Sequence, residues 1–81
     1  MAYFVYVLKS QTHQTKYIGC TVDTQKRLIE HNLGKGRYTS GRKPWSLIYK
    51  ECYDTLVEAR KREKFLKTGV ERQELKRLLN L

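Results

Sequence analysis

Residues 16–31 read KYIGCTVDTQKRLIEH, and the hydrophobic period changes inside that stretch. Lys16 to Cys20 carries the residues of a short strand. Gly19 lies near its end, where a missing side chain lets another group approach the backbone closely. Asp23, or alternatively Thr21, can cap a helix. That helix is predicted over Thr24–Asn32, with Leu28 and Ile29 on its apolar side and Gly34 as its stop. Arg27 and His31 are four residues apart and so share a face, with no carboxylate between them on it. Two such donors side by side suit a phosphate better than they suit each other. The plainer alternative is an exposed basic face, and Glu30 can pair with Lys26 without involving either residue.

Working upstream, residues 3–9, YFVYVLK, are β-branched and aromatic and predict a strand. Tyr3, Val5 and Val7 fall on one face, Phe4, Tyr6 and Leu8 on the other. Both faces are apolar, so this strand is expected to be covered on both sides. Residues 10–15, SQTHQT, are turn-like, which makes the two strands an antiparallel hairpin. Tyr6 and Tyr17 then reach the same end of the sheet, although an isolated tyrosine is more often core than catalytic.

Working downstream, GKGRYTSGRKP (34–44) holds three glycines, four basic residues and a proline, and reads as loop. Trp45–Tyr53 is a third strand. Thr55-Leu56-Val57-Glu58 matches a capping box and opens a second helix at Leu56, running to Lys67 and ended by Gly69. A third helix is expected from Val70, its acids early and its bases late, as the helix dipole favours. Leu56, Ala59 and Leu66 mark the apolar stripe of the second helix, and Glu63 occupies the position that completes it. A carboxylate there needs a partner or a cation, unless the stripe has run out to solvent by that turn. The order is β-β-α-β-α-α. This predicts one α+β domain over residues 1–81, a three-stranded, mainly antiparallel sheet flanked by three helices. No repeat or linker interrupts it.

The formal net charge is +9, from 17 Lys and Arg against 8 Asp and Glu. So strong a basic excess on a small domain points to a polyanionic partner, DNA, RNA or an acidic membrane surface, with nucleic acid favoured over a solvated basic surface that only aids solubility. No apolar run approaches the ~20 residues that span a bilayer, so no membrane is expected. The N-terminus lacks the basic region and cleavage site of a signal peptide. Cys20 and Cys52 are isolated, and with His13 and His31 they give no zinc-ligand spacing. They are expected to be free, buried thiols in a reducing cytosol.

Phe4-Val5-Tyr6, ten intervening residues, and Tyr17-Ile18-Gly19 resemble the paired signature of the GIY-YIG nuclease superfamily. The first triplet matches at its tyrosine, the second completely. The family's helical arginine falls on Arg27, its following aromatic or histidine on His31, and its metal-binding glutamate on Glu63. His31-Asn32-Leu33-Gly34, Tyr38-Thr39 and Arg62-Glu63 with Lys67 look closest to the small stand-alone bacterial members. The chain is also similar to the N-terminal GIY-YIG domain found in the bacterial excision-repair nuclease. It departs at Cys20, often a lysine in repair nucleases, and in having no asparagine shortly after the glutamate helix.

The resemblance implies a metal-dependent endonuclease acting on DNA in repair or recombination. Glu63 would hold Mg²⁺ or Mn²⁺. Tyr6 is the first candidate for general base and Tyr17 the next, with Lys16 and Arg27 supplying nearby positive charge. Arg27 would stabilise charge on the phosphorane, and His31 would orient the phosphate or assist proton transfer. Gly19 would allow close approach at the strand's end. Lys16, Lys35, Arg37, Arg42 and Lys43, with Tyr38 among them, would track the nucleic acid. The alternative is a non-catalytic DNA- or RNA-binding module that keeps the fold. No protein partner is expected.

Overall fold

The computed structural model describes residues 2–68 and Arg77. Apart from Arg77, the third helix expected from Val70 lies outside the described residues. The elements run β1 (Tyr3–Ser10), β2 (Lys16–Thr21), α1 (Thr24–Asn32), α2 (Arg37–Ser40), β3 (Trp45–Tyr53) and α3 (Leu56–Leu66). The sheet has three strands in the order β2-β1-β3, and both pairings are antiparallel.

β1 is the central strand and is covered on both sides, as its two apolar faces require. Val5, Val7 and Ile18 pack with Ala59 and Leu66 of α3, fringed by Tyr3, Cys20, Tyr49 and Tyr53. On the opposite face Tyr6, Leu8 and Trp45 form a second cluster with Tyr17, Leu28 and Leu47. Val5, Val7 and Leu8 are completely inaccessible. Burying each contributes about 1.5–3 kcal/mol, so a thin domain still has a firm centre.

A β-bulge between Val7 and Leu8 in the β1–β3 ladder lets β3 serve both clusters. Val7 pairs with Tyr49, but Leu8 pairs with Leu47, so Ile48 has no partner. Side chains alternate faces along a strand, so an extra residue reverses the alternation. Tyr49 and Tyr53 therefore join the α3 side, whereas Leu47 and Trp45 join the other.

The helix ends follow local chemistry. Asp23, and not Thr21, caps α1 by accepting from the Lys26 amide at 3.0 Å, while the Thr21 hydroxyl accepts from the Asp23 amide. Leu33 closes α1 and Gly34 follows at φ 82°, a conformation that glycine adopts without a Cβ penalty. Thr55 caps α3, accepting from the Glu58 amide at 3.2 Å and donating its hydroxyl proton to the Glu58 carboxylate at 3.0 Å. Lys67 is the C-cap of α3 rather than its last helical residue.

α3 is fastened to β3 by a carboxylate. Glu51 accepts from Arg62 Nε at 2.9 Å, Arg62 Nη2 at 3.1 Å and the Tyr53 hydroxyl at 2.6 Å, and the Tyr49 hydroxyl also donates to it. Burial acts to raise the Glu51 pKa, but the hydrogen bonds from Arg62, Tyr49 and Tyr53 outweigh it and hold the carboxyl below its usual value.

Three expectations are corrected. The 34–44 segment is not loop throughout, because Arg37–Ser40 form the single turn α2. Leu56, expected in the core stripe, is 40% exposed, since the stripe begins only at Ala59. Neither cysteine is fully buried: Cys20 is half-buried and Cys52 exposed, and both are free thiols. Among the described residues, no helix is long and apolar enough to cross a membrane.

Candidate active site

The site grows from one register. Tyr6 of β1 pairs with Gly19 of β2, so no side chain opposes it across the strands. The Tyr6 ring fills that space. Tyr17 precedes Gly19 by two residues and therefore points to the same face. Its ring centroid lies 6.3 Å from that of Tyr6 and 4.8 Å from that of His31. The hairpin thus brings the two tyrosines together, and α1 delivers the histidine against both.

His31 is 2% exposed and hydrogen-bonded at both ring nitrogens. Nε2 meets the Tyr6 hydroxyl at 3.1 Å and Nδ1 meets Thr39 Oγ1 at 2.9 Å. Thr39 stands in α2, and its carbonyl accepts from Trp45 Nε1 at 2.9 Å. Trp45 is itself clamped by Asn32, which donates to its carbonyl at 3.1 Å and accepts from its amide at 2.6 Å. Every buried side-chain polar atom among the described residues has a partner.

Arg27 lies one turn before His31 but at the rim, its side chain 40% exposed. Arg27 acts on the Tyr6 phenol, lowering its pKa against the effect of burial. It also pairs with Glu30 at 3.1 Å. Glu30, which could instead have paired with Lys26, reaches the guanidinium directly at i+3. The rim placement of Arg27 corrects the picture of Arg27 and His31 presented to a phosphate side by side. Residues four apart on a helix differ in direction by roughly 40°, and here that angle separates an interior residue from a rim residue.

The electrostatics of the resting site oppose ionisation at its centre. Burial pushes the Tyr6 phenol up to about 12, against the lowering influence of Arg27. The expected depression of the phenol by neighbouring positive charge is therefore outweighed by desolvation. Burial, and next the Arg27 charge, lower the His31 pKa and favour the neutral imidazole.

Glu63 approaches from the other layer. Within α3, Arg62 pairs with Glu51 of β3, while the Glu63 charge is felt by Cys20 of β2 and Tyr6 of β1. Its Oε2 is 2.7 Å from Lys67 Nζ, which stands 5.9 Å from the Tyr17 ring centroid. The odd carboxylate of the helix stripe thus has a salt-bridge partner. No cluster of three or more His, Cys, Asp or Glu exists among the described residues. A single carboxylate fits a hard cation that keeps most of its waters, as Mg²⁺ does, and does not fit zinc. Lys67 would have to yield Oε2 for that oxygen to serve.

The basic residues group partly at one end of the sheet. Lys16, exposed, pairs across the ladder with Lys9. Lys43 and Lys35 are also exposed. The loop at 42–44 docks on the hairpin turn, with the Arg42 carbonyl accepting from Ser10 Oγ at 2.6 Å and that of Pro44 from the Gln11 amide at 2.9 Å. Arg37 and Tyr38 are the first two residues of α2. Sequence reading did not assign parts to Asn32, Thr39 and Trp45. The only signal was that Asn32 and Thr39 fall in the short motifs next to His31 and Tyr38.

The GIY-YIG catalytic-domain profile matches residues 2–76. The chain belongs to the GIY-YIG family. It is a nuclease-type family, and in this chain Tyr6 and Tyr17 are held on adjacent strands. The GIY-YIG chain is 44% identical over 75 residues to a UPF0213 protein of Staphylococcus epidermidis, covering 91% of this chain and 90% of that one. It is 39% identical over 67 residues to a UPF0213 protein of Haloquadratum walsbyi, covering 82% of this chain and 74% of the other. Among solved structures, the solution NMR structure of a UPF0213 protein from Bacillus halodurans is 31% identical, with a TM-score of 0.59, covering 96% of this chain and 85% of that chain.

Proposed function

We propose that the protein is a divalent-metal-dependent endonuclease that hydrolyses phosphodiester bonds in DNA, in repair or recombination. The observation that carries this reading is the Tyr6 hydroxyl 3.1 Å from the Nε2 of a histidine whose environment favours its neutral form, with Arg27 acting on the same phenol. A neutral imidazole at hydrogen-bond distance is a proton acceptor in place.

A phenol pushed up to about 12 does not ionise in advance at neutral pH. Tyr6 therefore acts as a relay: it takes the proton of the attacking water while passing its own to His31 Nε2. Arg27, at the rim, faces the charge that builds on the phosphorane oxygens. Tyr17, packed on His31, excludes water from the relay and is the second candidate for contact with the attacking water. Glu63 would hold the Mg²⁺ or Mn²⁺, which when bound polarises a phosphate oxygen. Lys16, Lys35, Arg37, Tyr38, Arg42 and Lys43 position the nucleic acid without reading its sequence.

A second reading, a non-catalytic DNA- or RNA-binding module, is favoured by the Lys67 ammonium already on Glu63. The test is cleavage of labelled single-stranded, duplex and branched DNA, and of RNA, by wild type and Glu63→Gln in Mg²⁺, Mn²⁺ and EDTA. Cutting that disappears in EDTA and in the variant supports the endonuclease. Equal binding by both proteins with no cutting by either sinks it in favour of the module.

A further inference from the structure

We propose that Thr39 is a positioning residue that fixes His31 in the tautomer with its proton on Nδ1, leaving the Nε2 lone pair aimed at Tyr6. This deepens the endonuclease reading and rests on it for its catalytic meaning, but the tautomer itself is set by hydrogen bonds alone.

A neutral imidazole has one donor and one acceptor nitrogen, and a hydroxyl has one proton. Thr39 Oγ1 contacts two groups, His31 Nδ1 at 2.9 Å and the Gly36 carbonyl at 3.4 Å. A carbonyl can only accept, so the threonine proton belongs to Gly36, and the threonine lone pair accepts Nδ1–H. Nε2 is then left as the acceptor, and the phenolic proton of Tyr6, 3.1 Å away, goes to it. The chain runs one way: Tyr6 to His31, His31 to Thr39, Thr39 to the Gly36 carbonyl. Reversing the imidazole would strand the Tyr6 proton in a buried site.

Thr39 is built to hold that place. A Cβ at Gly36 would stand 2.6 Å from Thr39 Oγ1, so only glycine lets the hydroxyl sit over that backbone. The Thr39 carbonyl is tied to Trp45, Trp45 to Asn32, and Asn32 follows His31 in the chain. His31, Asn32, Trp45 and Thr39 thus close a ring of contacts around the imidazole. Thr39 is 1% exposed, so water does not replace its hydroxyl. A residue that only packed this turn would not need an oxygen on the ring nitrogen.

The test is the tautomer read directly. The ¹⁵N-labelled full-length protein is examined by long-range ¹H–¹⁵N correlation at mildly alkaline pH, as wild type, Thr39→Val and Thr39→Ser. Expected are a pyrrole-type Nδ1 and pyridine-type Nε2 for His31 in wild type and Thr39→Ser. In Thr39→Val the two nitrogen shifts exchange or average. A wild type or Thr39→Ser protein with the proton on Nε2 overturns the proposal, and this holds even where Thr39→Val does not fold. A folded Thr39→Val protein with unchanged nitrogens overturns it too. In cleavage, Thr39→Val lowers kcat by about tenfold or more. KM stays within about twofold, and Thr39→Ser restores the rate. A wild type that never cuts but shows these nitrogen shifts refutes the endonuclease and leaves the role of Thr39 standing.

Discussion

Gly19 lies directly against the hydroxyl end of Tyr6: a Cβ at position 19 would stand 2.6 Å from the ring carbon that bears the oxygen. That ring is buried and tied to His31, so it cannot swing aside as a surface side chain would. Gly19→Ala is expected to destabilise the fold by about 1–3 kcal/mol, the usual cost of overpacking. Urea unfolding of the two proteins measures it, and an unchanged midpoint would mean that the sheet absorbs the methyl group.

Removing only the oxygen of Tyr6 separates packing from chemistry. Tyr6→Phe keeps the ring but leaves His31 Nε2 buried without a donor, at about 1–3 kcal/mol. Cleavage is expected to fall by roughly 10²–10⁴, the range for loss of a general acid or base. Tyr17→Phe, tested beside it, should cost less in rate if Tyr6 is the relay. The reverse ranking would move that role to Tyr17.

The buried imidazole predicts an acid sensitivity with a definite sign. Burial, and then the Arg27 charge, hold the His31 pKa below its ordinary value, with Glu30 acting the other way. Below about pH 6.5 the unfolded chain therefore binds the proton more readily than the native one. The stability supplied by neutral His31 is complete above that pH and is lost as pH falls through the native value. Urea midpoints measured downward from about pH 8 should drop in wild type below about pH 6.5, with the fall flattened in His31→Gln.

Glu51 should matter more than an edge-strand acid ordinarily does. Glu51→Ala leaves Arg62 and the hydroxyls of Tyr49 and Tyr53 without their shared acceptor. An expected loss of about 1–3 kcal/mol follows from unsatisfied, partly buried groups. Hydrogen exchange should show faster opening of α3, because the tie from α3 to β3 is gone.

Nucleic-acid affinity should fall steeply with salt. Lys16→Ala with Lys43→Ala is expected to lower the slope of log K against log salt by about 0.9 for each phosphate no longer neutralised. A slope unchanged by the double substitution would place the polyanion elsewhere on the surface.

What could be read from the sequence was local. The hairpin, α1 with its Asp23 cap, β3 and the Thr55 cap follow from period, turn residues and side-chain oxygens within a few positions. The meeting of Tyr6 and Tyr17 at one end of the sheet also follows, from the hairpin. α2 was hidden because its turn is secured by partners distant in the chain, His31 and Trp45, and glycine content alone reads as loop. The inward turn of His31 was hidden because a four-residue spacing does not tell which member faces the sheet. Glu63 was legible as an anomaly, but its Lys67 partner lies where helix and cap meet.

The unpaired Ile48 decides which layer each half of β3 serves. Were it drawn into the ladder opposite Leu8, strict alternation would carry Leu47 and Trp45 to the α3 layer. The Trp45 indole would then be withdrawn from Thr39, and the histidine's bracket would open from a site that touches neither its ring nor the tyrosines. Loss of codon 48 alone would leave Leu47 opposite Leu8 and both faces as they are, so a gene for this fold should tolerate that deletion.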